Sequence, residues 1–322
     1  MCRPPRHRDW RSPLIALDVD GVLDRRLLGF PCTTAAGVEA LSILNDKGLT
    51  ITLNTARSAV ELREYCSAYS LSGGVAEYGS YIWDALLGRE RVLISAEAVS
   101  QLAQLRRHLR QIPGVFLDER HQYSIRAFTY ESANMLRSRG RLATVLASMR
   151  PFSIGQGAPV PLNPFLVRNL IAELALDQLE LLETSVDSTV IAKRNNKGSG
   201  LAELRDWVLG PEAETVAVGD SEPDLAMFRV ATRSYAPSHI GCAGMALLLG
   251  CRIARRDYQR GLLEIARLQP TLIEVPRKSE PATIASRFER EFFETLSVAD
   301  TSTSARLARA LTRLSTFRSV FG

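Results

Sequence analysis

Several things are scarce in this chain, and each scarcity closes a class of function. No apolar run reaches the roughly eighteen residues that a membrane span needs, so no membrane partner is expected. The first residues, Met1 to Ser12, are basic, but the apolar stretch behind them, Leu14–Leu17, runs straight into Asp18. That stretch is too short for the apolar region of a secretory leader, and a cytoplasmic protein is expected. Cysteine is sparse: five in 322 residues (Cys2, Cys32, Cys66, Cys242, Cys251), odd in number, with no C-x-x-C pair. With only four histidines, far apart, neither a zinc site nor a disulfide framework is expected. The charge excess is small, +5 from 40 Lys+Arg against 35 Asp+Glu, and the arginines are dispersed rather than gathered in a stripe. No nucleic-acid partner is expected from that pattern, whereas a phosphorylated metabolite needs only a local positive pocket. There is no internal repeat. What remains is an ordinary globular composition, 46% hydrophobic and 23% charged, long enough for one large or two modest domains.

The stretch that organises the rest is Leu14-Ile15-Ala16-Leu17-Asp18-Val19-Asp20-Gly21-Val22-Leu23. An apolar run of strand length ends in two carboxylates at i and i+2, then a glycine. Side chains two apart on a strand point the same way, but the turn after Asp18 is expected to bend the two acids apart. One would then hold a metal and attack while the other handles protons. Acids at a strand end can also merely cap the next turn, so the partners of these two decide between the readings.

Periodicity supplies them. Thr34 to Lys47 reads as a helix stopped by Gly48, Leu49–Leu53 as a strand, Ala59 to Tyr69 as a helix and Gly74–Ala76 as a short strand. Strand and helix in alternation predict a parallel sheet with right-handed crossovers. The rhythm changes near Glu77. Helices over Ser95–Arg110, Ala133–Met149 and Phe165–Leu176 then accompany strand-like runs at Val115–Leu117, Tyr123–Tyr130, Leu179–Leu182 and Thr189–Ala192, with a Pro- and Gly-rich loop from Pro151 to Pro164. This predicts a smaller α+β domain inserted into the parallel one. The parallel pattern resumes with a helix over Gly198–Leu209, a strand at Thr215–Val218 and a helix in which Pro223 suits the first turn. Short strands at Arg233–Ala236 and Arg252–Ala254 and a helix over Gly261–Leu268 follow. In the tail, Thr303–Phe317 carries Leu307, Leu311 and Leu314 on one side, an amphipathic helix expected to dock on the domain.

Four strand ends thus carry Asp18/Asp20, Thr55, Lys197 and Asp220/Asp224, which a parallel sheet brings to one edge. Phosphoryl transfer asks for that set: a nucleophile, an acid/base, a divalent cation, and donors for the phosphoryl oxygens. Asp18 and Asp220 suit a hard, oxygen-ligated ion such as Mg²⁺. An ionised carboxylate is also a competent nucleophile. Thr55 can donate through its hydroxyl and backbone, and Lys197 offsets negative charge. Other readings exist for each. Thr55 could cap the following helix, Lys193 could replace Lys197, Asp224 could serve only the helix dipole, and Arg57 could brace its loop. Asn196-Lys197-Gly198-Ser199-Gly200 lacks the spaced upstream glycine of a phosphate loop.

Asp18-Val19-Asp20-Gly21, Thr55, Lys197 and Gly219-Asp220-x-x-x-Asp224, in this order, resemble the four motifs of the haloacid dehalogenase superfamily of phosphatases. Thr55-Ala56-Arg57, Asn196-Lys197-Gly198 and Gly219-Asp220-Ser221-Glu222-Pro223-Asp224-Leu225 are similar to the Thr-Gly-Arg, Asn-Lys-Gly and Gly-Asp-Ser-Glu-Asn-Asp-Leu of its large-capped branch, which includes Cof-type and sucrose-phosphate phosphatases. The match covers roughly residues 13 to 268. The resemblance implies an α/β fold, with a Rossmann-like core over 12–80 and 193–275, an inserted α+β cap over 81–192, and a C-terminal helical extension over 276–322. It implies Asp18 as nucleophile and Asp20 as general acid and then base. Mg²⁺ would be held by Asp18, the Asp20 backbone carbonyl and Asp220, with Asp224 beside it. Val22 stands where the family often has threonine and Ala56 where it has glycine; Pro223 replaces an asparagine that supports the metal ligands.

The expected function is Mg²⁺-dependent hydrolysis of a small phosphorylated metabolite, a sugar or polyol phosphate, with specificity set by the cap. Arg57, Ser80, Arg126, Asn163 and Arg168 are the candidate substrate contacts, the last three chosen as polar groups near strand or loop ends, with Glu77 and Tyr78 beside Ser80 at the hinge. A phosphomutase with the same site, a non-catalytic scaffold of the same fold, and an Asp-x-Asp glycosyltransferase are the alternatives. The last leaves Thr55, Lys197 and Asp220/Asp224 unexplained. The sequence does not specify an oligomeric state.

Overall fold

The computed structural model describes residues 10–27, 30–130, 159–183 and 188–272. In chain order they begin with β1 (Leu14–Leu17), a hairpin of β2 (Arg25–Leu27) and β3 (Phe30–Cys32), α1 (Ala35–Asp46), β4 (Thr50–Asn54), α2 (Ala59–Tyr69), β5 (Gly73–Ala76), β6 (Tyr81–Asp84) and β7 (Arg89–Val92). Next come α3 (Ala96–Arg110), β8 (Phe116–Leu117), β9 (Ile125–Tyr130), β10 (Pro159–Pro161), α4 (Pro164–Glu173), β11 (Leu179–Glu183) and β12 (Ser188–Ala192). The last group is α5 (Lys197–Val208), β13 (Thr215–Val218), α6 (Leu225–Val230), β14 (Arg233–Ala236), α7 (Ala243–Leu248), β15 (Arg252–Ile253) and α8 (Tyr258–Leu268). The expected helices over 133–149 and 303–317, and the 276–322 extension, lie outside the described residues.

The main sheet has eight strands in the order β15-β14-β13-β1-β4-β5-β6-β7. β1 lies at its centre, parallel to β13 and to β4. Its four residues are all apolar because both faces of the strand are covered. Ile15 and Leu17 join a core formed with Leu41 and Leu44 of α1, Leu62 of α2 and Ile265 of α8. Leu14 and Ala16 face the opposite layer, with Leu201 and Leu204 of α5 and Phe228 of α6. Each fully buried leucine in these layers contributes about 1.5–3 kcal/mol. The expected α/β class with a parallel-sheet core is the observed one.

One boundary differs from expectation. The insert was expected to start at residue 81, but β6 and β7 run antiparallel on the edge of the main sheet. The reason lies in their side chains. Tyr81 and Ile82 bury into the two opposite core layers, as consecutive residues of a two-sided strand must. A second, antiparallel sheet, β10-β9-β12-β11 with β8 also on β9, is built only from residues beyond β7. α3 covers this sheet with Ala98, Leu102, Leu105 and Leu109, a stripe at helical spacing that packs on Ile125, Leu179 and Val190.

Candidate active site

The parallel register does the first part of the assembly. Leu17 is level with Leu53 on one side and Val218 on the other, so the residues that follow all leave the sheet at one edge. Asp18, Asn54–Thr55 and Gly219–Asp220 therefore meet there. After Asp18 the chain turns sharply: the Asp24 N–H donates to Val19 O at 2.7 Å and the Gly21 N–H to Asp24 O at 2.7 Å. Gly21 has φ +87°, and a Cβ there would lie 1.9 Å from Asp220 Oδ2. Glycine is needed on both counts, for the left-handed backbone and for the close approach of the two loops.

That turn sends the two acids of the first motif to different partners. Asp18 is buried and faces Lys197, whose Nζ lies 2.8 Å from Asp18 Oδ1 and 2.6 Å from Asp224 Oδ1. Lys197 itself is 2% exposed. It comes from the first turn of α5 rather than from a strand end as expected. Asn196 caps that turn, its Oδ1 accepting from the Gly198 and Ser199 amides at 2.9 and 3.0 Å. The Asn54 side chain, missed in the sequence, ties the turn to β4 by donating to Lys197 O at 2.7 Å. Burial works against the Lys197 charge, but Asp18 and Asp224 outweigh it and hold the ammonium protonated far above the usual lysine range. Lys193, the competitor for this role, is exposed.

Asp224 is fully buried and organises its own loop. Its Oδ2 accepts from the Asp220 amide at 2.9 Å, the Ser221 amide at 2.9 Å and the Ser221 hydroxyl at 2.8 Å. With Lys197 on Oδ1, both of its oxygens are engaged. The helix-terminus reading of Asp224 and the reading as a site residue thus merge: it caps the turn around Pro223 and also anchors Lys197. Asp220 has its Oδ2 3.0 Å from His239 Nε2.

Asp20 turns the other way and forms a two-pronged pair with Arg57, Nε to Oδ2 at 2.9 Å and Nη2 to Oδ1 at 2.8 Å. Arg57 also donates to the Tyr65 hydroxyl at 2.7 Å and lies 3.5 Å from buried Asp24. All its nitrogens are taken by these groups, which makes it a brace for Asp20 in this arrangement. Thr55 is fully buried, with its Oγ1 accepting from the Arg57 amide at 3.1 Å. Its own amide donates to Val75 O at 2.9 Å, so the expected backbone donation by Thr55 is already committed to the sheet; the hydroxyl proton is what it has to offer. It is not the cap of α2. Ser58 is, in a capping box with Glu61.

Of the other expected substrate contacts, Asn163 and Arg168 have partners of their own. Ser80 is fully buried, with no hydrogen-bond partner for its hydroxyl among the described residues. Asn163 caps α4, its Oδ1 accepting from the Phe165 amide at 2.9 Å. Arg168 is exposed and pairs with Glu183. Arg126 sits on β9 opposite Thr189. Glu77, noted only as a hinge residue, makes the larger contribution. Fully buried at φ +51°, its carboxylate accepts from the Gln122 amide (3.1 Å), the Tyr123 amide (2.8 Å) and the Ser124 hydroxyl (2.8 Å). Beside it, buried His121 donates from Nε2 to Ala56 O at 3.3 Å. Together they clamp the 121–124 segment onto the loop that carries Thr55 and Arg57. Nothing local in the sequence signals this, because the donors are mostly backbone amides of a remote loop.

Asp18, Asp220 and Asp224 each bring one carboxylate oxygen within 4.8 Å of the others. Burial and the Asp224 and Asp220 charges push the Asp18 carboxyl well above the usual carboxylate range, against the pull of Lys197. Three carboxyl groups face one ammonium in a mostly buried site, and the donors are hard oxygens. The set fits a small divalent cation such as Mg²⁺. Asp18 and Asp220 are the ligands best able to serve, since Asp224 has committed its oxygens.

A family model described as haloacid dehalogenase-like hydrolase matches residues 177–238. The fold is that of the haloacid dehalogenase-like hydrolases. One solved structure of this fold, a haloacid dehalogenase-like hydrolase from Bacteroides thetaiotaomicron, superposes with TM-score 0.54 at 14% identity over 80% of this chain and 99% of its own. The sucrose-phosphatase from Synechocystis sp. PCC6803, solved in complex with sucrose and phosphate, superposes with TM-score 0.52 at 15% identity over 80% and 97%. A haloacid dehalogenase-like hydrolase from B. subtilis superposes with TM-score 0.51 at 16% identity over 79% and 99%. No curated protein sequence matches the chain. The resemblance read from the four motifs thus holds for the haloacid dehalogenase-like fold. No helix among the described residues is long and apolar enough to cross a membrane.

Proposed function

We propose that this protein is a Mg²⁺-dependent phosphatase that hydrolyses a small phosphorylated metabolite, a sugar or polyol phosphate, through an acyl phosphate formed on Asp18. The observation that carries the reading is the buried Lys197 ammonium between Asp18 and Asp224, with Asp220 joined to Asp18 in the same acidic cluster. A lysine buried among acids at the edge of a sheet is costly as mere architecture, because ion pairs removed from water repay their desolvation poorly. It is understandable where phosphoryl charge has to be met. The sugar and phosphate seen with the Synechocystis protein support the substrate class.

In this reading an Asp18 oxygen attacks phosphorus. Both of the hydrogen bonds to Asp18 among the described residues, from the Val19 amide and Lys197, fall on Oδ1, which leaves Oδ2 to react. The ester oxygen departs with a proton from Asp20. Asp20 then takes a proton from water as the water attacks phosphorus of the aspartyl phosphate; the P–O bond to Asp18 breaks, and inorganic phosphate leaves with the Asp18 carboxylate restored. To act as an acid Asp20 must first part from Arg57, which holds both of its carboxylate oxygens. Its half-exposed side chain leaves room for that movement. Thr55 donates its hydroxyl proton to a phosphoryl oxygen, and Lys197 balances the charge that gathers there. Asp18 and Asp220, with the Asp20 carbonyl, would hold a divalent cation, which would supply further positive charge at the site.

The test is phosphate release from a panel of sugar and polyol phosphates with Mg²⁺, comparing the wild type with Asp18→Asn. Turnover in the wild type and none in the variant, at an unchanged melting temperature, is the expected result. Equal turnover in both would remove Asp18 as the nucleophile.

A further inference from the structure

The acidic cluster has a neighbour that no motif includes. His239 stands in the loop between β14 and α7, and its Nε2 lies 3.0 Å from Asp220 Oδ2. Its other ring nitrogen, Nδ1, receives the backbone N–H of Tyr258 at 3.1 Å. A backbone N–H can only donate, so Nδ1 must present its lone pair. The ring proton is then on Nε2 and directed at Asp220. The direction of this hydrogen bond follows from the chain, not from a choice of tautomer.

The rest of the surroundings fix the ring in place. His239 stacks on the Tyr258 ring with centroids 3.7 Å apart, and the Arg25 guanidinium lies 4.3 Å from the centre of the same Tyr258 ring. Tyr258 opens α8 with φ +46°, a conformation that a tyrosine holds only when its surroundings enforce it. The loop is tied to the acid a second time by the Gly241 amide, which donates to Asp220 O at 3.3 Å. Gly21 stands against the same oxygen, with no room for a Cβ beside Asp220 Oδ2. One oxygen of Asp220 is therefore held by an imidazole N–H, and the carboxylate cannot turn freely.

We propose that His239 is a positioning residue for the divalent cation: it holds Asp220 Oδ2 and so keeps Oδ1 available and oriented for the metal shared with Asp18. This rests on the cation site of the proposed function and adds the determinant of its affinity. Groups that orient a metal-ligating side chain commonly account for 10- to 100-fold in affinity, which is the expected scale here.

The experiment measures Mn²⁺ affinity of the full chain by electron paramagnetic resonance, and Mg²⁺ affinity from the rise in melting temperature. The variants are His239→Ala, His239→Phe and His239→Gln. Phe keeps the stack on Tyr258 without the donor, and Gln restores an N–H donor without the ring. Weakening of about 10- to 100-fold in Ala and Phe is expected, with most of it recovered in Gln and with metal-free melting temperatures of Phe and wild type alike. Wild-type affinity in both Ala and Phe would overturn the inference, as would a Gln variant as weak as Ala. Absence of Mn²⁺ binding by the wild type would overturn the cation site itself, and this inference with it.

Discussion

Charged side chains live differently in the two sheets of this protein. At the edge of the main sheet, Asp18, Lys197 and Asp224 are buried and satisfy one another across more than two hundred residues of chain. In the insert, Arg168 pairs with Glu183 in the open, and Arg110 does the same with Glu119. Exposed pairs of that kind contribute little, because water and salt screen them. The contrast teaches where chemistry can be sought. Buried charges that depend on remote partners are expensive to keep, while exposed ones held by near neighbours are ordinary surface.

Mutations can break or sharpen this contrast. The largest effect is expected at Lys197: Lys197→Ala should lower turnover of the best substrate by about 10²- to 10³-fold, measured as kcat at saturating Mg²⁺. Lys193→Ala should leave kcat unchanged, and a reversal of these two results would move the site to the exposed lysine. Next comes Glu77, which belongs to the main-sheet side yet grips the 122–124 segment. Glu77→Ala leaves buried donors without an acceptor and should cost on the order of 3 kcal/mol in denaturant unfolding. Asn163→Ala should cost about 1 kcal/mol, the usual worth of a helix cap, with KM unmoved. Smallest is Arg168→Ala, within about 0.5 kcal/mol and silent in activity. A large KM change in either of the last two would restore them as substrate contacts.

How much of this could be read from the sequence depended on the kind of contact involved. Asp18 and Asp220 were legible because a parallel register puts strand ends level, β1 and β13 announcing themselves as mostly apolar runs and β4 as an alternating one. Lys197 was legible through Asn196 and Gly198, although its place on a helix rather than a strand end was not. The edge strands were harder. Tyr81–Asp84 and Arg89–Val92 leave the parallel rhythm, and a break in rhythm looks the same whether a new domain starts or an old sheet adds antiparallel strands. Asn163 and Arg168 were chosen for polarity alone, and polarity near a loop end is as much the mark of a cap or a surface pair. His239 could not be found from pattern at all. Its role depends on which way a single backbone N–H points, that of Tyr258.

The central strand carries one more consequence. Leu14 is level with Thr215, so the neighbour on that side of β1 is encoded far downstream of it. At about 5–20 residues per second, a ribosome takes about 10–40 s to deliver that partner. Through that interval one edge of the most apolar strand among the described residues is unpaired. A nascent chain of this design needs shelter from its neighbours before it can close, and truncation anywhere before Thr215 should yield aggregates rather than a smaller folded protein.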